Sequence, residues 1–128
     1  LKKIKTFKDI IAWQKAHHFV IQIYEVTKKF PVEERFGLVL QMRRAAVSIT
    51  SNLVEGFARK CLREGLNFYS ISNTSLEELK YQLLISHDIG LIKDEKYQDL
   101  VENSKEVGRL LWAWSESQKS NDLSRSSC

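Results

Sequence analysis

The chain has one proline and five glycines among 128 residues. It therefore lacks the turn-forming residues that a sandwich or barrel of many short strands needs. No apolar run approaches the roughly 18 residues that cross a bilayer. The basic start Leu1-Lys2-Lys3-Ile4-Lys5-Thr6-Phe7-Lys8 is followed by neither a long apolar region nor a small-residue cleavage site. A cytoplasmic protein without signal peptide or membrane segment is expected. Two cysteines, Cys61 and Cys128, are too few for a disulfide scaffold. Cys128 ends a polar stretch with nothing to hold it, so no structural disulfide is expected either.

Motifs of catalysis are equally scarce. There is no Gly-rich phosphate loop, no GxSxG and no HExxH. His17 and His18 are adjacent, so on a helix they point about 100° apart and cannot chelate one ion as an i,i+4 pair would. No glutamate has a histidine three residues later, as a di-metal bundle requires. An enzyme, a metal site and a cofactor are all unexpected.

What is present is a globular composition, 43% hydrophobic and 28% charged, in a length that suits one domain. The net charge of +4 is unevenly spread. Residues 1–64 hold 13 Lys/Arg against six Asp/Glu, while residues 65–128 hold seven against ten. A basic half and an acidic half point to a polyanion-binding face or a self-complementary oligomer, with ordinary solvated helix surfaces as the plain alternative.

Hydrophobic periodicity predicts four helices. The first spans about Phe7 to Lys29, with Thr6 and Asp9 as a capping box. It carries two apolar rows: Ile10, Trp13, His17, Val20, Tyr24 and Ala16, Phe19, Ile23, Val26, Phe30. His17 is expected to be packed and hydrogen-bonded. Pro31 ends this helix. The second starts near Val32 or Glu33, with Glu33 and Glu34 at the positive end of its dipole, and runs to Ala58. Its stripe reads Leu38, Met42, Ala45/Ala46, Ile49, Leu53, Phe57. The third covers about Leu62 to His87 on Leu66, Tyr69, Ser72/Asn73, Leu76, Leu79/Lys80 and Leu83. Ser70, Ser72, Asn73, Thr74 and Ser75 are weak helix formers, so packing must hold that turn. Gly90 suits a C-terminal cap and Asp94 the cap of the fourth helix, with Tyr97, Leu100/Val101, Ser104, Val107/Gly108, Leu111 and Trp114 inward.

Short connections make the fold all-α, an antiparallel up-down-up-down four-helix bundle over 1–118 with a polar tail at 119–128. A hairpin near residue 60 sets Ser48 opposite Asn73 and Ala45 opposite Leu76. Small residues there allow a close approach. Ser48, Asn52 and Glu55 form a polar row that ties the second helix to the serine-rich turn of the third.

Two groups stand out as binding candidates. Arg35, Arg43, Arg44, Arg59, Lys60 and Arg63 fall in a stretch whose only acid is Glu55. The guanidinium fork suits phosphate, and clustered basic residues are the electrostatic footprint of nucleic-acid binding. Arg43 and Arg44 are the first choices. The competing account is salt bridges from these residues to the acidic fourth helix, within the chain or between subunits. Trp112 and Trp114 stand two apart and cannot face one core. One is expected inside and the other at an oligomer contact.

Several runs together resemble a known family. They are Phe7-Lys8-Asp9-Ile10 with Trp13-Gln14-Lys15-Ala16, Phe30-Pro31, Gln41-Met42-Arg43-Arg44-Ala45-Ala46-Val47-Ser48-Ile49, Asn52-Leu53-Val54-Glu55-Gly56 and Ser75-Leu76-Glu77-Glu78-Leu79. They look like the four-helix-bundle proteins encoded by 23S ribosomal RNA intervening sequences, over about residues 7–116. The family usually has Gly-Ser where this chain has Thr74-Ser75, and Ile-Ala where it has Leu53-Val54. A shorter match, Glu106-Val107-Gly108-Arg109-Leu110-Leu111 with Trp114, is similar to the last helix of the accessory variability proteins of diversity-generating retroelements. That second resemblance implies a pentameric homo-oligomer that binds a reverse transcriptase and its RNA. The expected function is thus a non-catalytic, homo-oligomeric bundle that binds nucleic acid, structured RNA foremost, as accessory to a reverse transcriptase or other ribonucleoprotein. The alternative is a protein–protein scaffold whose charges serve only self-assembly.

Overall fold

The computed structural model describes residues 3–120. Four α-helices account for most of them: α1 (Ile11–Thr27), α2 (Leu38–Ala58), α3 (Leu62–Asp88) and α4 (Asp94–Ser120), with 3-10 turns at Phe7–Asp9 and Val32–Glu34. Each helix packs on its sequence neighbours and α1 closes the ring against α4, with the most extensive interface between α2 and α3. No strand occurs among the described residues. The fold is the all-α four-helix bundle that the periodicity predicts.

The inward rows are largely those of the sequence. Ala16, Phe19, Ile23, Val26 and Phe30 are buried on the first helix and its exit, Met42, Ala45, Ala46, Ile49 and Leu53 on α2. Tyr69, Leu76, Leu79 and Leu83 join them from α3, and Leu100, Val107 and Leu111 from α4. Each large side chain of this set contributes roughly 1.5–3 kcal/mol by leaving water. Of the other predicted row, Ile10 and Val20 are buried and Trp13 packs against the core. Tyr24 and His17 are exposed, and the His17 ring stacks parallel on Trp13 at 4.9 Å instead of entering the core.

Helix ends differ from expectation in two places. The capping box of Thr6 and Asp9 forms, with the Asp9 carboxylate accepting from the Thr6 N–H at 3.0 Å. It caps only the 3-10 turn, because Ile10 is extended (φ −76°, ψ 117°) and almost wholly buried. Burial of that side chain redirects the chain before α1 begins. Likewise α2 starts at Leu38 instead of Val32, behind a 3-10 turn and Gly37. Glu34 still serves this end of α2: its Oε1 accepts from the Leu38 N–H at 3.3 Å.

In the α3–α4 connection Gly90 is the predicted C-terminal cap, whereas Asp94, expected to cap α4, is its first residue and turns its carboxylate to His87. Gly90 has φ +86°, a left-handed conformation open to glycine. The Leu91 and Gly90 N–H groups donate to the Ser86 and His87 carbonyls at 2.8 and 3.0 Å, closing a Schellman motif.

The α2–α3 seam is built from small and hydroxyl-bearing residues. Ser72 Oγ donates to the Ile49 carbonyl at 2.8 Å, and the Ser48 and Ser75 hydroxyls meet at 2.7 Å. Ser75, not the exposed Asn73, is the partner of Ser48. Of the predicted polar row, only Ser48 reaches α3. Asn52 folds back on Ser48, and Glu55 pairs with Arg59. Gly56 marks the tightest point: a Cβ there would lie 2.5 Å from Tyr69 Cε1 and 2.9 Å from the Gly65 carbonyl.

Cys61, buried at the N-cap of α3, is disulfide-bonded, which corrects the expectation of unpaired cysteines. Cys128 and the rest of the expected tail from residue 121 onward lie outside the described residues. Residues 119 and 120 complete α4.

Candidate nucleic-acid interface

The six basic candidates do not form one cluster. Arg43 and Arg44 sit in the first half of α2, and Arg59 follows fifteen residues on, about 22 Å along the helix axis. Arg59, Lys60 and Arg63 gather at the α2–α3 connection, and Arg35 lies at the opposite pole in the α1–α2 connection.

Their engagements separate them further. Arg43 is half-buried and faces α1. Its Nε donates to Thr27 Oγ1 at 3.0 Å, its Nη2 to the Tyr24 carbonyl at 3.3 Å, and its guanidinium lies 4.5 Å from the Tyr24 ring centroid. Thr27 passes the chain on by donating to the Ile23 carbonyl at 2.7 Å. Arg43 thus ties α2 to the end of α1, a role that no sequence motif announces. Arg59 pairs with Glu55 at 3.1 Å and Glu64 at 4.0 Å, and stacks 4.6 Å over Phe68. Arg35 lies 5.9 Å over Phe36. Lys60 also has a partner. Arg44 and Arg63 are exposed, and among the described residues neither is ion-paired.

Arg44 stands on the outward face of α2 with the exposed Leu40, Val47 and Ser51. A shallow groove of about 510 Å³ runs along this face between them and Tyr24. The surface offers a fork-shaped cation, hydroxyls and short apolar contacts, a set that can meet phosphate and sugar.

Three acids of α4 are paired within the helix itself. Lys96 pairs with Asp99, Arg109 with Glu106 and Lys119 with Glu116, each three residues apart. Arg109 also holds the Glu106 carboxyl below its usual range, with a smaller contribution from Lys15. Among the described residues the ion pairs of Arg59 run to Glu55 and Glu64, not to α4. No helix among the described residues is long and apolar enough to cross a membrane.

The tryptophans divide cleanly. Trp114 packs inward, 6.3 Å from Phe57 and 6.0 Å from Tyr69 between ring centroids. Trp112 is 67% exposed.

With the bundle and its seam in view, the match in sequence falls into place. Residues 8–113, from the first turn to near the end of α4, match the family described as 23S rRNA-intervening sequence protein. The chain belongs to that family. Within that range Ala45, Ala46, Ile49, Leu53 and Gly56 of α2 are buried. A crystal structure of a protein with unknown function from the S23 ribosomal protein family, from Bacteroides thetaiotaomicron, superposes with a TM-score of 0.78. It is 24% identical and covers 85% of this chain and 98% of its own, a likeness of fold. The search of curated proteins gave no match. The family's shared features therefore specify a bundle, and the surface must be read for itself.

Proposed function

We propose that this protein is a non-catalytic, homo-oligomeric helical bundle that binds nucleic acid, structured RNA foremost. It would act in the cytoplasm as an accessory to a reverse transcriptase or other ribonucleoprotein. The observation that supports the reading is that Arg44 and Arg63 are exposed and, among the described residues, without an ion pair. An exposed, uncompensated guanidinium in a basic half-chain has phosphate as its natural partner. Assembly into a pentamer follows from the resemblance of α4 to accessory variability proteins, and a ring would repeat each patch. Repetition alone raises apparent affinity by about 10²–10⁴.

The test is fluorescence anisotropy with a labelled RNA hairpin over a salt series. Binding should fall steeply with salt and tolerate changes of sequence. Arg44→Glu with Arg63→Glu should weaken it and flatten the salt slope while leaving helicity unchanged. No binding of the wild-type protein at low salt would sink the proposal.

One observation favours the scaffold reading as runner-up. Trp112, at 67% exposure, is a large aromatic with no ring contact among the described residues. If the protein assembles yet binds no RNA, that reading replaces the first.

A further inference from the structure

A second cavity lies at the pole opposite the α2–α3 connection, where α1 ends and α4 begins. It is an open cleft of about 560 Å³, within the usual range for small-molecule sites. Its floor is apolar, made by the buried Val26 and Ile92 with the half-buried Leu91. Lys29, Lys93 and Lys96 stand around it, together with one acid, Glu25.

The charges decide what it can hold. Three ammonium groups against one carboxylate leave a local charge of about +2, the complement of a phosphomonoester, which carries −1.5 to −2 at neutral pH. Lys29 and Lys93 have no ion pair among the described residues. Lys96 pairs with Asp99 at 3.6 Å, an exposed i,i+3 contact. Such pairs contribute roughly 0–1 kcal/mol, so the ammonium can turn to a better partner. The end of the α1 dipole and the start of the α4 dipole meet here with opposite signs, which leaves the lysines in control. Phosphate alone would leave the apolar floor uncovered.

From this combination we propose that the cleft binds a phosphomonoester with a compact apolar or planar body, a nucleoside monophosphate in chemical class. The phosphate lies among Lys29, Lys93 and Lys96, and the body covers Val26, Leu91 and Ile92. Such a group comes either as a free nucleotide or as the 5′-phosphorylated end of an RNA. This site is separate from Arg44 and Arg63, and does not depend on their role.

Isothermal titration of the full chain tests it with AMP, adenosine and inorganic phosphate. AMP should bind at least tenfold more tightly than either fragment. Lys29→Ser with Lys93→Ser should weaken AMP at least tenfold, with circular dichroism unchanged because both residues are exposed. Glu25→Gln should tighten AMP several-fold, a gain that misfolding cannot produce. A 5′-phosphorylated oligonucleotide that outcompetes AMP assigns the RNA end as ligand, and AMP binding at least as well assigns the free nucleotide. No AMP binding at millimolar concentration, equal binding of adenosine, or indifference to both charge changes overturns the proposal. Salt-dependent binding of a 5′-hydroxyl hairpin through Arg44 and Arg63 should survive the lysine changes, so the two readings fail independently.

Discussion

Arg43 reaches back from α2 to Tyr24 twice, with its guanidinium 4.5 Å from the ring centroid and one nitrogen on the same residue's carbonyl at 3.3 Å. Its neighbour Arg44 makes no such commitment. Adjacent arginines, identical in composition, therefore have different jobs. Arg43→Ala should cost about 1–3 kcal/mol, since it removes a cation–π contact and charge-assisted hydrogen bonds. Arg44→Ala should leave stability within about 0.5 kcal/mol, as surface changes usually do, and weaken RNA binding. Urea melts and anisotropy on both variants check the split. Loss of affinity from Arg43→Ala at full stability would reverse the assignment.

Gly56 of α2 and Gly108 of α4 should answer oppositely to alanine. At Gly56 a Cβ would meet Tyr69 and the Gly65 carbonyl inside 3 Å, so α2 and α3 must part. Overpacking of this kind costs typically 1–3 kcal/mol. At Gly108 the nearest atom is Leu76 Cδ2 at 3.4 Å, an ordinary contact. There alanine should recover up to about 1 kcal/mol of helix propensity. Thermal melts of Gly56→Ala and Gly108→Ala should shift Tm in opposite directions.

His87 provides a pH-dependent link between α3 and α4. Its ring stacks on Tyr97 at 4.3 Å, and its Nε2 meets the Asp94 carboxylate. Asp94, helped by Asp88 and opposed by partial desolvation, raises its pKa above the usual 6.5. A raised folded-state pKa stabilises fully below the unfolded value and loses that contribution as pH rises through the folded one. The stability gap between wild type and His87→Gln should be widest just below about pH 6.5, where His87 is charged. It should shrink at higher pH. Asp94→Asn should flatten it, and an NMR titration of the His87 ring should follow the same midpoint.

Trp114 and Trp112 separate stability from assembly. Trp114→Ala removes the ring between Phe57 and Tyr69 and should cost about 3–5 kcal/mol. Trp112→Ala should leave the fold intact and lower the sedimenting mass toward the 14.9 kDa of one chain. A wild-type protein that sediments as a monomer at micromolar concentration would remove the oligomer proposal.

The helices and inward rows were legible because they rest on a period repeated over twenty residues. Leu62 to His87 was read to within one residue of α3, and Gly90 as its cap. The starts of α1 and α2 were missed because each is decided by a single residue: Ile10 buried in an extended conformation, Gly37 preceding α2. The basic residues were found by composition, but composition does not say which way a side chain turns. Tyr24 and Thr27, which occupy Arg43, are distant in sequence and carry no pattern. The lysine cleft was unseen for the same reason: Lys29 and Lys93 meet only once the bundle closes.

The ion pairs described here are short-range, with partners no more than seven residues apart. Apart from Arg43 on α1 and the His87–Asp94 link, the helices are held by the alanine, serine and glycine seam and the apolar core. Surface charge is consequently a free variable in the history of this fold. One lineage can invert a face, or trade an RNA partner for a protein, without having to rebuild the bundle beneath. Kinship of shape across such lineages then records a common chassis, while each occupant of the surface has to be discovered separately.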